Sequence, residues 1–140
     1  MIKYDVRFFR PEEFRCPCCG SLGNPLSGQG GPARLLVLWL DLFRAAWGAP
    51  VIVNSGFRCS KHNIEVGGAE KSRHLLGCAA DIAPNLMQQT RSVAMEDFKR
   101  LGIRMFSLPG WEVKTYSWGL HVAVPRDEES RMWNGSAIIL

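Results

Sequence analysis

The chain has 140 residues, 46% of them apolar and 21% charged, with a formal net charge of +4. That length supports one domain, residues 1–140, whose core can stand without disulfides, and the composition is that of a folded protein rather than a disordered one. No apolar run approaches the ~18 residues of a membrane-spanning helix, and the basic residues are scattered, which argues against a specific nucleic-acid partner.

Met1-Ile2-Lys3-Tyr4-Asp5-Val6-Arg7 lacks the apolar stretch and small-residue cleavage site of a signal peptide, so synthesis in the cytoplasm is expected. Residues 1–10 read as an extended lead-in that offers Val6, Phe8 and Phe9 for packing. Pro11-Glu12-Glu13-Phe14 places proline and two acids where a short helical turn favours them. Residues 20–31 are rich in glycine and serine and read as a flexible surface loop.

Pro32 opens the strongest helical pattern of the chain. Leu35, Leu38, Trp39, Leu42, Phe43 and Ala46 recur at three- and four-residue spacing, with Arg34, Asp41 and Arg44 opposite them. Gly48 and Pro50 should end it. Val51-Ile52-Val53 predicts a strand that stops at Asn54-Ser55-Gly56. From Cys59 to Lys71 the chain should be loop with at most one helical turn, and Ala79–Ala83 a second strand closed by Pro84. Residues 88–101 form a second amphipathic pattern, with Ala94, Phe98 and Leu101 on one face and Gly102 as its cap. Ile103–Phe106, Trp111–Tyr116 and Leu120–Val124 then predict a β-meander, and residues 125–140 a tail over the surface. The expected class is α+β, with a small, mainly antiparallel sheet packed with two main helices.

Five cysteines leave an odd thiol, so a complete disulfide framework is not expected. Cys16, Cys18 and Cys19 lie together. With Cys59 they could bind a second zinc, although no second C-x-x-C pair closes such a knuckle. Reduced structural thiols and disulfides are the alternatives.

Of three histidines, two stand in apolar surroundings: His74, in Ser72-x-His74-x-x-Gly77-x-Ala79-x-Asp81, and His121, between Leu120 and Val122. Two imidazoles and a carboxylate make a catalytic-type zinc site, because three protein ligands leave the fourth position to water or substrate. Asp81 sits between Ala80 and Ile82, where a carboxylate without a cation is costly to bury.

Ser55-Gly56-Phe57-Arg58, His62-Asn63, Val66-Gly67-Gly68, the block from Ser72 to Asp81, and His121-Val122-Ala123-Val124 follow one another in an order that resembles the M15 metallopeptidases. Those are zinc D-alanyl-D-alanine carboxypeptidases and phage peptidoglycan endopeptidases. Phe14-Arg15-Cys16-Pro17-Cys18-Cys19-Gly20 resembles the N-terminal segment of many of them, and the likeness covers roughly residues 9–125. The resemblance implies a hedgehog/DD-peptidase-like fold, Zn2+ on His74, Asp81 and His121, and hydrolysis of peptidoglycan peptides by metal-activated water. It implies that Arg58 binds the substrate's carboxylate or supports the developing oxyanion, and that Ser72 orients a ligand or bonds substrate. His62 is then structural, and Gly67, Gly68 and Gly77 let the loop approach the site. A monomer acting at the cell wall, after release by lysis or carriage in a virion, would fit. Relatives carry an acid three residues before the last histidine or two residues after it, and here those positions are Trp118 and Ala123. The general base is therefore unassigned, with Glu112, Asp127 and Glu128 the acids nearby in sequence. That departure supports the alternative of a catalytically impaired, zinc-containing wall-binding module.

Overall fold

The computed structural model describes residues 6–21, 32–85 and 91–125. The elements run from a 3-10 turn at Pro11–Phe14 through α1 (Arg34–Trp47), β1 (Val51–Ser55), α2 (Ser60–Glu65) and a 3-10 turn at Arg73–Leu76. They continue with β2 (Ala79–Pro84), α3 (Arg91–Phe106), β3 (Glu112–Tyr116) and β4 (Gly119–Ala123). The four strands form one sheet in the order β1-β2-β4-β3, and every neighbouring pair is antiparallel. The class is the α+β one expected, and no helix among the described residues is long and apolar enough to cross a membrane.

Strand alternation divides the sheet into two faces. Ala80 and Ile82 of β2 and Leu120 and Val122 of β4 are buried in one core with Leu36, Val37, Leu40 and Phe43 of α1 and Phe98 and Phe106 of α3. Phe43 is the hub. Its ring meets Phe98 edge-on at 5.1 Å and Phe106 at 5.9 Å, geometry that adds to the area each ring buries. The opposite face carries the polar row described below.

Several expectations change. The buried face of α1 is Leu36, Val37, Leu40 and Phe43, while Leu42 and Ala46 are exposed. The helix is apolar on almost every side, so two overlapping stripes share the same spacing and periodicity cannot choose between them. Trp39 still packs, edge-on against Trp111 at 5.3 Å, and its indole N–H donates to the Met105 carbonyl at 2.9 Å. Asp41 faces outward but is engaged, accepting the N–H groups of Arg7 (3.2 Å) and Phe8 (2.8 Å) and so docking the lead-in.

Residues 60–65 form a six-residue helix, more than the single turn expected. Gly102 does not cap α3, which continues to Phe106, so the expected strand at 103–106 is helix and the meander reduces to the β3–β4 hairpin. Gly102 is there for close packing, since a Cβ would collide with the buried Leu120 side chain. The predicted loop at 22–31, the start of the second helix before Arg91, and the tail from residue 126 lie outside the described residues.

Replacing Phe43 by Ala removes the ring that joins α1 to α3 and should lower unfolding free energy by about 3–5 kcal/mol. Urea denaturation of the full chain followed by tryptophan fluorescence measures this, and a loss below about 1 kcal/mol would show that the hub is misplaced.

Candidate metal centre

The pairing of β2 with β4 sets Asp81 directly opposite His121, and β3 pairs Lys114 with His121. On the other side, β1 places Ser55 opposite Asp81 after an irregularity between Val53 and Ser55. Directly opposed residues share a face, so Ser55, Asp81, His121 and Lys114 form one polar row across all four strands. His74 arrives from outside the sheet, on the 3-10 turn before β2, and is only 2% exposed. The Ser72 hydroxyl accepts the His74 backbone N–H at 3.2 Å, and the His74 carbonyl accepts the Arg58 N–H at 3.1 Å. Ser72 is thus the cap of that turn and fixes the ligand candidate's backbone.

One carboxylate oxygen is the focus. Asp81 Oδ1 lies 3.1 Å from His74 Nε2 and 3.0 Å from His121 Nδ1. The outer atom of each of the three side chains is engaged elsewhere. His74 Nδ1 is 2.7 Å from the Gly56 carbonyl, His121 Nε2 is 2.9 Å from Glu112 Oε1, and Asp81 Oδ2 accepts from Arg58 at 3.3 Å. A carbonyl oxygen has no proton to give, so His74 carries its proton on Nδ1 and turns the Nε2 lone pair inward. Glu112 likewise draws a proton onto His121 Nε2.

With both imidazoles neutral, three lone pairs converge with no hydrogen between them. A proton on His121 Nδ1 relieves one of those contacts, and a cation relieves all of them. His74, Asp81 and His121 each offer one ligand atom, all within 4.8 Å of one another, so the set fits a metal ion. Two nitrogens and one oxygen suit zinc, and outer partners that fix the imidazole tautomers are what metal-ligating histidines usually have.

The electrostatics agree. Burial alone would raise the Asp81 carboxyl, but the His121 and His74 imidazoles beside it hold it far below the ordinary carboxylate range. Burial opposes a charge on His121, yet Asp81 and Glu112 outweigh it and raise the imidazole above its usual value. Glu112 is lowered in turn, burial opposing, by His121 and by the Arg73 charge.

Arg58 donates from Nε to Ser55 Oγ (3.2 Å), from one terminal nitrogen to Asn63 Oδ1 (3.2 Å) and from the other to Asp81. Three of its five N–H groups are therefore used within the protein and two are left over. In the His62-Asn63 pair it is Asn63 that supports the site: it is buried, and its side-chain amide also donates to the Ala69 carbonyl at 2.9 Å. His62 stands 3.8 Å from Glu65 and belongs to α2.

Glu112 reaches the centre from β3 but turns to its outer side. One oxygen takes His121 and the other lies 3.4 Å from Arg73 Nε, a charge contact without hydrogen-bond alignment. Arg73 is in turn tied to the carbonyls of Gly110 (2.6 Å) and Val124 (3.1 Å). Arg73 has no signal in the sequence beyond its place beside His74. Asp127 and Glu128 lie outside the described residues.

Comparison with known proteins agrees with this geometry. A family model described as Peptidase M15 matches residues 8–107. A zinc D-Ala-D-Ala carboxypeptidase of Streptomyces albus G is 39% identical over 79 residues, which are 55% of this chain and 31% of that protein. The chain thus spans about a third of that relative's length. The family match contains Arg58, His74 and Asp81 and ends before β3 and β4, and the sheet pairing brings His121 and Glu112 to the same centre.

Two outcomes follow for Zn2+ binding. Glu112→Gln keeps an acceptor for His121 but loses the charge, and should weaken Zn2+ affinity by roughly 10–100-fold in chelator competition, with the far-ultraviolet circular dichroism unchanged. Unaltered affinity would show that Glu112 does not support the site. Because the folded His121 has a raised pKa, its proton competes with the ion more effectively as pH falls. Affinity should be flat at alkaline pH and drop by about tenfold per unit, one proton per ion, from a point above about 6.5. A decline confined to lower pH would contradict the raised value.

Proposed function

The chain belongs to the peptidase M15 family, and on that premise we propose that it is a zinc-dependent peptidase acting on peptidoglycan. The bond cut is a D-Ala-D-Ala terminus or a stem-peptide or cross-bridge linkage, with Zn2+ on His74, Asp81 and His121. The observation that carries this reading is the inward convergence of three donor atoms whose outer partners are all engaged. When bound, a zinc ion with three protein ligands supplies a position for water, lowers the pKa of that water toward neutrality and polarises the scissile carbonyl.

The chain's own residues prepare that chemistry. The Gly56 carbonyl and the Glu112 carboxylate hold the two imidazoles in the tautomers that face inward. Arg58 holds and aims Asp81 through Oδ2, and its two remaining N–H groups can take a substrate carboxylate or a developing oxyanion, a task suited to a fixed, permanently charged fork. Glu112 is a positioning residue, since both of its oxygens face His121 and Arg73. Its engagement, together with Trp118 and Ala123 at the acid positions of related chains, favours one second reading: a zinc-containing wall-binding module of the same fold with impaired catalysis.

Elemental analysis of purified protein, followed by incubation with muropeptides and mass spectrometry, separates the two. The proposed peptidase releases D-alanine or a shortened stem peptide, stops with chelator, resumes with Zn2+, and loses activity and this ion together in His74→Ala and His121→Ala. Zinc on these residues without cleavage selects the binding module. Absence of zinc dependent on His74 and His121 would overturn both.

A further inference from the structure

A second group of possible metal ligands lies outside this centre. The thiols of Cys16, Cys19 and Cys59 sit within 4.8 Å of one another, and Cys16 and Cys59 are 3.7 Å apart, a non-bonded contact. Cys16 and Cys19 are a C-x-x-C pair, partly hidden in the sequence by Cys18 between them, and that spacing is the usual one for two zinc ligands on a single turn. The turn is built for it. The Gly20 N–H donates to the Cys16 carbonyl at 2.7 Å with Gly20 at a left-handed φ of 74°, and the Cys16 N–H donates to the Ser21 carbonyl at 2.8 Å.

Cys59 is the N-cap of α2, where its sulfur also accepts the His62 N–H at 3.4 Å. The Cys18 thiol lies outside that group of three, on the exposed side of the same turn, next in sequence to Cys19.

We propose that Cys16, Cys19 and Cys59, with Cys18 as the fourth ligand, form a structural zinc site. Four thiolates close the coordination shell, which separates this site chemically from a centre with an open position. Its place in the fold gives it a purpose. Residues 56–59 are the segment that supplies the Gly56 carbonyl to His74 and the Arg58 guanidinium to Asp81. That segment lies against the N-terminal one: the Phe57 N–H donates to the Phe14 carbonyl at 2.8 Å, and a Cβ on Gly56 would fall 2.6 Å from the Phe14 Cα. A metal joining Cys59 to the turn at residues 16–19 pins the segment at its far end, one residue beyond Arg58.

The test uses full-length reduced protein loaded with Co2+ in place of Zn2+. Sulfur bound to Co2+ gives a near-ultraviolet charge-transfer band that nitrogen and oxygen ligands do not give, so the cysteine site is read separately from the histidine centre. The band should be present in the wild type, persist in His121→Ala, and vanish in Cys19→Ser. Metal content should be two ions per chain in the wild type and one in either variant. If Cys19→Ser fails to fold, thiol titration of the wild type decides: the cysteines should be protected with Zn2+ and become reactive on chelation. Lack of a sulfur-to-cobalt band, or a native chain two hydrogens lighter with Cys16 joined to Cys59 and no second ion, overturns the proposal.

Discussion

The register of β2 against β4 is the constraint on which the rest depends. It sets Asp81 opposite His121, and that single pairing brings a carboxylate and an imidazole from residues 40 apart to a 3.0 Å contact. In a strand the side-chain period is two, so a slip of one residue would turn Asp81 into the core and bring Ala80 or Ile82 to the site. Burial of Ala80, Ile82, Leu120 and Val122 against α1 and α3 opposes that slip. The core therefore specifies the site indirectly. It fixes which residues of β2 and β4 are left to face the other way.

Around that pairing, positions are held by backbone more than by long side chains. The Gly56 carbonyl orients His74, Ser72 holds the His74 N–H, and the His74 carbonyl holds the Arg58 N–H. These links form a loop of restraints between the end of β1 and the turn before β2. Each imidazole is held at its outer nitrogen by a partner outside the ligand set and meets Asp81 Oδ1 with its inner one. Both inner nitrogens point at the same carboxylate oxygen, and that shared focus is what a ligand set requires.

Legibility in the sequence followed the range of the interaction. His74, Asp81 and Arg58 lie in short blocks whose order resembles the M15 enzymes, which is what singled them out, and the strand Val51–Ser55 and the turn at Pro11–Phe14 were read from equally local patterns. The buried face of α1 was not legible, because a helix with leucine, valine and tryptophan on most sides presents two competing stripes. Gly102 was misread for a related reason: a cap and a close packing contact call for the same residue, and only the approach of Leu120 tells them apart. Glu112 was visible only as an acid near His121 in sequence, and which side of His121 it would reach depended on register. Arg73 and Asn63 act through contacts 37 to 51 and 5 residues away, respectively, with no motif of their own to mark them.

The same register bears on the acid that related chains carry two residues after their last histidine. Here that position is Ala123, and its direct cross-strand neighbour is Glu112. Opposed positions have Cβ atoms about 4.5–5.5 Å apart on the same face, so a carboxylate at either can occupy nearly the same space. Glu112, one methylene longer than an aspartate, reaches His121 Nε2 at 2.9 Å from the neighbouring strand. A buried Ala123 leaves it room. A negative charge beside this histidine thus comes from β3, which the motif on β4 cannot reveal. Holding an ion and taking a proton from its water are separate demands. Glu112 faces away from the inner nitrogens, on the outer side of His121 and beside Arg73.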